Sequence, residues 1–150
     1  MKSFNYTITL LSFIVVFTFC GITSVYSSNW VEYGTDNKDN VWSYDDDSVK
    51  HPRKNVVEVK SKIDFSNEGK EKYIKEKKDK KEPIKGYDKF LCYVFLSEIN
   101  CLDLAIRFLS TTEYDTSGEV LGSHSYGRPD DWVYIKPGSI MDGLREQVCK

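Results

Sequence analysis

The clearest pattern in the chain is the alternation in "VVEVKSKIDF". Val57, Val59, Ser61, Ile63 and Phe65 point one way, and Val56, Glu58, Lys60, Lys62 and Asp64 the other. A period of two with one apolar set is a strand with one dry face and one wet face. "WVEYG" and "VWSYD" are shorter, aromatic-rich strand candidates parted by the turn-like "TDNKDN". "FLCYVFLSEI" is apolar on both faces, which predicts a central strand with something covering it. "LDLAIRFLSTTEY" follows, with Leu102, Leu104, Ile106 and Phe108 on one side. Tyr114 to Gly118 is a hairpin turn signal leading into the strand "EVLGSHSY".

Two segments break this period. The lysine-rich run from about Asn67 to Lys81 reads as a helix ended near Pro83 and Gly86. Near the C-terminus, Pro137 and Gly138 stop a strand, and Ser139 with Asp142 three residues on forms a capping-box pattern. Ile140, Leu144 and Val148 then recur at spacing four as an apolar stripe. The expected fold class is α+β: an antiparallel sheet of about six strands, a C-terminal helix packed on one face, and a lysine-rich inserted helix.

The N-terminal end places the protein. Lys2 is the one charge before Glu32, and Ile8 to Ile22 is almost wholly apolar. A basic start, an apolar stretch and small residues after it mark a secretory signal, here residues 1–27 with cleavage after Ser27. The competing reading is a membrane anchor, because the run approaches spanning length. Lipidation at Cys20 is disfavoured by the bulky Phe19 before it. Residues 28–150 then form a single domain with no transmembrane span, in the periplasm or on the surface of a bacterium.

Removing Lys2 takes the net charge from −2 to −3, which argues against nucleic acid as partner. The charges are uneven, however: Asp36 to Asp47 is acidic, and nine lysines fall between Lys70 and Lys89. The simpler reading of this run is a solvated helix laced with pairs such as Glu71–Lys75 and Glu76–Lys80. The sharper one is a face of Lys70, Lys72, Lys75, Lys77, Lys78, Lys80 and Lys81 that docks on acidic polysaccharide, lipid headgroups or an acidic protein.

Three cysteines remain after the signal: Cys92, Cys101 and Cys149. An exported domain meets an oxidising compartment, so pairs form where geometry allows. Cys92 and Cys101 lie nine apart along one expected strand, too far to bridge. Cys149 ends the last helix and can reach the sheet, so Cys101–Cys149 is the expected disulfide. Cys92, among Phe90, Leu91, Val94 and Leu96, is read as a buried free thiol, with intermolecular pairing as the alternative.

The chain carries no His-Glu-x-x-His, Cys-x-x-Cys or glycine-rich phosphate loop, so no metal or cofactor is expected. Asp45, Asp46 and Asp47 are consecutive, which scatters their carboxylates, and they are read as capping a short turn near Ser48. "GSHSYG" from Gly122 to Gly127 approximates a nucleophile elbow, but its first glycine is one residue too far from Ser125. No catalytic residue is assigned, and the protein is read as a non-enzyme. A hydrolase using Ser125 and His124 is the least favoured alternative.

The order of motifs resembles the surface-adhesin protein E family of small exported bacterial domains. The matching stretches are Trp30-Val31, "WSYDDDSV" at Trp42–Val49, "EINC" at Glu98–Cys101 and "YDTSGEVL" at Tyr114–Leu121. They continue with Trp132, "IKPGS" at Ile135–Ser139 and "LREQVC" at Leu144–Cys149. The resemblance implies an antiparallel sheet with its C-terminal helix tied on by a disulfide. It also implies adhesion to host matrix and serum proteins such as vitronectin, laminin and plasminogen. Cys92 is extra to that pattern, and no ligand-binding residue carries over. The expected function is an exported, adhesin-like binding domain for extracellular-matrix or envelope macromolecules. The alternative is a periplasmic structural or accessory protein that associates through a sheet edge, and a homodimer stays open.

Overall fold

A computed structural model describes residues 28–127 and 130–150. The expected signal, residues 1–27 with Cys20, lies outside the described residues. The strands are β1 (Trp30–Thr35), β2 (Val41–Asp45), β3 (Lys50–Arg53), β4 (Val56–Asp64), β5 (Phe90–Asn100), β6 (Ala105–Asp115), β7 (Val120–Ser125) and β8 (Val133–Tyr134). The helices are α1 (Asn67–Asp79), between β4 and β5, and α2 (Ile140–Val148), after β8. The sheet runs β1-β2-β4-β5-β6-β7 with antiparallel neighbours, β3 alongside β4 and β8 alongside β6. This is the expected α+β architecture, with an open sheet. The exposed "KHPR" of β3 was too polar to be foreseen as a strand, while the strand expected before Pro137 is the two-residue β8.

Register shows which face is dry. Val57 pairs with Ile99 and Ile99 with Ile106, while Ile63 pairs with Tyr93 and Tyr93 with Glu113. All of these lie on one face: β4 and β5 keep their parity between these pairs, and the bulge at Leu109 of β6 inverts its alternation, so that Ile106 and Glu113 point the same way. Both helices cover that face. The stripe of α2 brings Leu144 (0% exposed) and Val148 onto Val57, Val59, Ile99, Ile106 and Ile135. At the other end, Tyr73 of α1 stacks on Phe90 at 5.0 Å and meets Phe65 at 5.2 Å. Val94 and Leu96, on the opposite face of β5, are half-buried and share a groove with Lys60, Lys62, Ser110 and Thr112.

The caps follow the sequence. Ser139 Oγ accepts from the Asp142 N–H, and Asp142 reaches back one residue further than a capping box requires, accepting from the Gly138 N–H at 2.8 Å. Beyond the helix end, Cys149 is bonded to Cys101, 48 residues away. Asp46–Ser48 forms one 3-10 turn, closed by the Ser48 hydroxyl donating to the Asp45 carbonyl.

Two local expectations need correction. Residues 101–104 form a turn, so Leu102 and Leu104 do not share a strand face with Ile106, and Leu102 is 73% exposed. Leu104 takes a left-handed φ of 51°, which stops strand pairing there. The lysine-rich helix ends at Asp79 rather than Lys81, whose φ of 59° cannot continue it.

Candidate functional site

The helix α1 is fixed over the sheet before it contributes to any site. Asp36 organises the β1–β2 turn by accepting from the N–H groups of Lys38 and Asn40, from Asn40 Nδ2 and from Trp42 Nε1. Asn40 Oδ1 in turn accepts from the Ser66 N–H, and Ser66 Oγ caps α1 by accepting from the Gly69 N–H at 3.0 Å. Gly69 is required at this spot, since a Cβ would run into the Asn40 side chain. The 3.6-residue period then sets Tyr73 and Lys77 on the sheet side of the helix, one turn apart.

What they meet is an acid on the dry face. Glu113 of β6 is buried, and both its oxygens are engaged. The Tyr73 hydroxyl donates to Oε1 and the Tyr87 hydroxyl to Oε2. Lys77 Nζ stands 3.0 Å from Oε1 and 2.8 Å from Glu82 Oε2. The same ammonium lies over the rings of Tyr73 and Tyr87, at 5.5 and 5.1 Å from their centroids. A buried charge persists when it is paired and hydrogen-bonded, and this network supplies both. Gly122 of β7 makes the space: a Cβ there would stand 2.5 Å from Glu113 Oε2.

Ionisation follows from these contacts. Burial opposes the charge of Lys77, yet its bonds to Glu82 and Glu113 outweigh burial and hold its pKa above that of an ordinary lysine. Burial, reinforced by the hydrogen bond to Glu113, pushes the Tyr87 phenol up to about 12. The same two causes push Tyr73 higher still. These groups therefore keep their protons at neutral pH and form a fixed floor.

Above the floor is an open cleft of about 560 Å³ between α1 and the β6–β7 end of the sheet. Its rim carries Glu76 and Lys80 from the helix side, and Thr111, Ser123, His124 and Tyr126 from the sheet side. His124 and Tyr126 meet edge to face at 4.4 Å. His124 pairs with Thr111 and Ser125 with Ser110, so His124 and Ser125 point to opposite faces of β7. The pairing that a Ser125–His124 hydrolase needs is not formed. Among the described residues there is no group of three or more His, Cys, Asp or Glu placed to hold a metal ion.

The seven lysines singled out in the sequence are dispersed. Lys77 faces inward and Lys70 is half-buried, while Lys72, Lys75, Lys78, Lys80 and Lys81 are exposed. On the outer side of α1, Lys72, Lys75 and Lys78 interleave with the exposed Glu68, Glu71 and Asp79. The i,i+4 pair that forms is Lys72–Glu76, at 3.9 Å, rather than Glu71–Lys75 or Glu76–Lys80. Cys92 is a free, buried thiol on the opposite face of the sheet, and burial raises its pKa. Glu113, Tyr73 and Tyr87 escaped sequence reasoning. The available signal was an acid in phase with Thr111 and across from Tyr93, an inward position in a strand that should otherwise be apolar there.

The family profile of surface-adhesin protein E matches residues 30–150. Among solved structures, the selenomethionine form of Haemophilus influenzae protein E is 10% identical, with a TM-score of 0.50. That match covers 83% of this chain and 88% of that one. Another structure of H. influenzae protein E is 11% identical with a TM-score of 0.46, covering 72% of this chain and 76% of that one. Comparison with curated protein sequences finds no match. With the profile spanning β1 through α2 and the terminal disulfide, this chain belongs to the surface-adhesin protein E family.

Proposed function

We propose that the protein is an exported, non-enzymatic binding domain with an adhesin-like role toward extracellular-matrix or envelope macromolecules. The observation that carries this reading is the family match across the whole described domain. A disulfide that spans 48 residues suits an extracytoplasmic compartment. Lys70, Lys72, Lys75, Lys78, Lys80 and Lys81 are the proposed contact lysines for an acidic partner. Lys77 is reassigned to the internal Glu113 network. Reversing Lys72, Lys75 and Lys78 together should weaken binding to immobilised host matrix proteins and flatten its dependence on salt. Unchanged affinity at every salt concentration removes the outer face of α1 as the contact.

A second reading has its own observation. Val120, Tyr126, Val133, Tyr134 and Leu102, each between 47% and 73% exposed, are strung from one end to the other of the side of β6 that β7 and β8 cover. An apolar edge of this kind favours association through strand addition. If the protein is a periplasmic accessory component, a charged residue in place of Val120 should disrupt its assemblies, and host proteins should not bind.

A further inference from the structure

We propose that the cleft between α1 and the β6–β7 end of the sheet is a saccharide subsite for an acidic pyranoside, a sugar ring bearing a carboxylate or sulfate. This deepens the binding-domain reading and rests on it. The floor decides the sign of the ligand. A cationic ligand would need ring faces and a free carboxylate, but the ammonium of Lys77 already lies over Tyr73 and Tyr87 and is paired with Glu113. Of the three acids that line the cleft, Glu113 and Glu82 are both held by Lys77, and Glu76 on the rim stands 3.9 Å from Lys72.

The rim holds what remains. Lys80, the C-cap of α1 at the cleft rim, is exposed and takes part in no salt bridge among the described residues. Its positive field bears on Glu82, which already belongs to Lys77. Tyr126, 47% exposed, offers an aromatic ring braced edge to face by His124. Ser123 adds a short hydroxyl on the same wall.

A pyranoside has the complementary surface: an apolar C–H face for the ring, and hydroxyls for short side-chain partners. Its acidic substituent would be the group drawn to Lys80. The cleft volume of about 560 Å³ falls within the range of small-ligand sites, roughly 300–1,000 Å³. Its open side lets a longer polymer pass through rather than ending in an enclosed pocket. Carboxylated and sulfated polymers share this chemistry, and the test separates them.

The experiment is an amide NMR titration of the exported protein with three tetrasaccharides: hyaluronan (carboxylate only), heparin-derived (carboxylate and sulfate) and neutral cellotetraose. Saturable shifts at Lys80, Ser123, His124 and Tyr126 are expected with one or both acidic probes, and the stronger probe identifies the acid. Lys80→Gln should weaken that binding about tenfold, as expected for loss of one charge-assisted hydrogen bond. Tyr126→Ala should weaken it to a similar degree. Lys78→Gln, on the outer side of α1, should change it less than about twofold.

Three outcomes overturn the proposal: no shifts in the cleft, equal binding of cellotetraose, or Lys78→Gln acting as strongly as Lys80→Gln. The shift map on the unsubstituted protein stands even if a variant misfolds. Purified protein needs no display on a cell, so the two readings fail separately. Tetrasaccharide binding without cell attachment would sink the adhesin reading alone, and the reverse would sink the cleft alone.

Discussion

The network under the cleft makes a quantitative prediction. Glu113 and Lys77 have side chains 9% and 13% exposed, 3.0 Å apart, and Glu113 also accepts from two tyrosine hydroxyls. Removing one partner of a buried pair strands the other and typically costs about 3–5 kcal/mol. Glu113→Gln keeps the shape and one acceptor, so a loss of about 3 kcal/mol is expected. Lys77→Met is milder, at about 2 kcal/mol, because the methionine packs well and Glu113 retains Tyr73 and Tyr87. The double variant strands no charge at this point and should lose only about 3 kcal/mol in total, giving a coupling of about 2 kcal/mol. Urea unfolding followed by circular dichroism, at one pH and with constant m-values, measures all three. Additivity of the two losses within about 0.5 kcal/mol would refute the account of a single cooperative floor.

Three further predictions rest on separate features. Cys101→Ser with Cys149→Ser frees a 48-residue span, whose closure contributes about 4 kcal/mol in the chain-entropy model; calorimetry should show a melting temperature lower by roughly 10–20 °C. Little change would mean that α2 is held by packing alone. Above pH 10 the unfolded chain releases phenolic protons that the folded state retains, with Tyr87 raised from 10.0 to about 12 and Tyr73 raised further. Stability should therefore be fully present below about pH 10 and fall steadily as pH rises through 12, read from urea midpoints, whereas a flat profile contradicts the buried network. Gly69→Ala drives a Cβ into Asn40 and should destabilise the protein by about 1–3 kcal/mol; a gain in stability, as helix propensity alone predicts, would show that the contact between α1 and the β1–β2 turn yields.

Most of the fold was legible because its main elements have pure periods. Val57, Val59 and Ile63 alternate without interruption over β4, and Leu144 with Val148 repeats at helical spacing after a clear Pro-Gly stop. The disulfide could be read from the three cysteines of a chain that its sequence reads as exported, since only Cys149 could reach Cys101. Boundaries went astray where chain geometry overrides composition. Leu102 and Leu104 look like strand residues, but the tight turn from β5 to β6 takes them out of the ladder. The cleft was illegible for a related reason. Glu113 comes from β6, Tyr73 and Lys77 from α1, and Tyr87 from the turn before β5, and only the β5–β6 register with the docking of α1 brings them together. A run of lysines reads the same on every side of a helix. The sheet alone determines that Lys77 is internal while Lys78 is solvent-facing.

The claim of a surface-displayed binding domain is tested most directly by trypsin treatment of intact producing cells, with blotting for the domain and for a periplasmic marker. Lys78, Lys80, Lys81 and Lys85 are exposed around the end of α1 and offer sites in the folded protein. Loss of the full-length domain while the marker survives is the predicted result. Protection of the domain until the outer membrane is opened would contradict the adhesin account and leave the periplasmic, edge-mediated reading in its place.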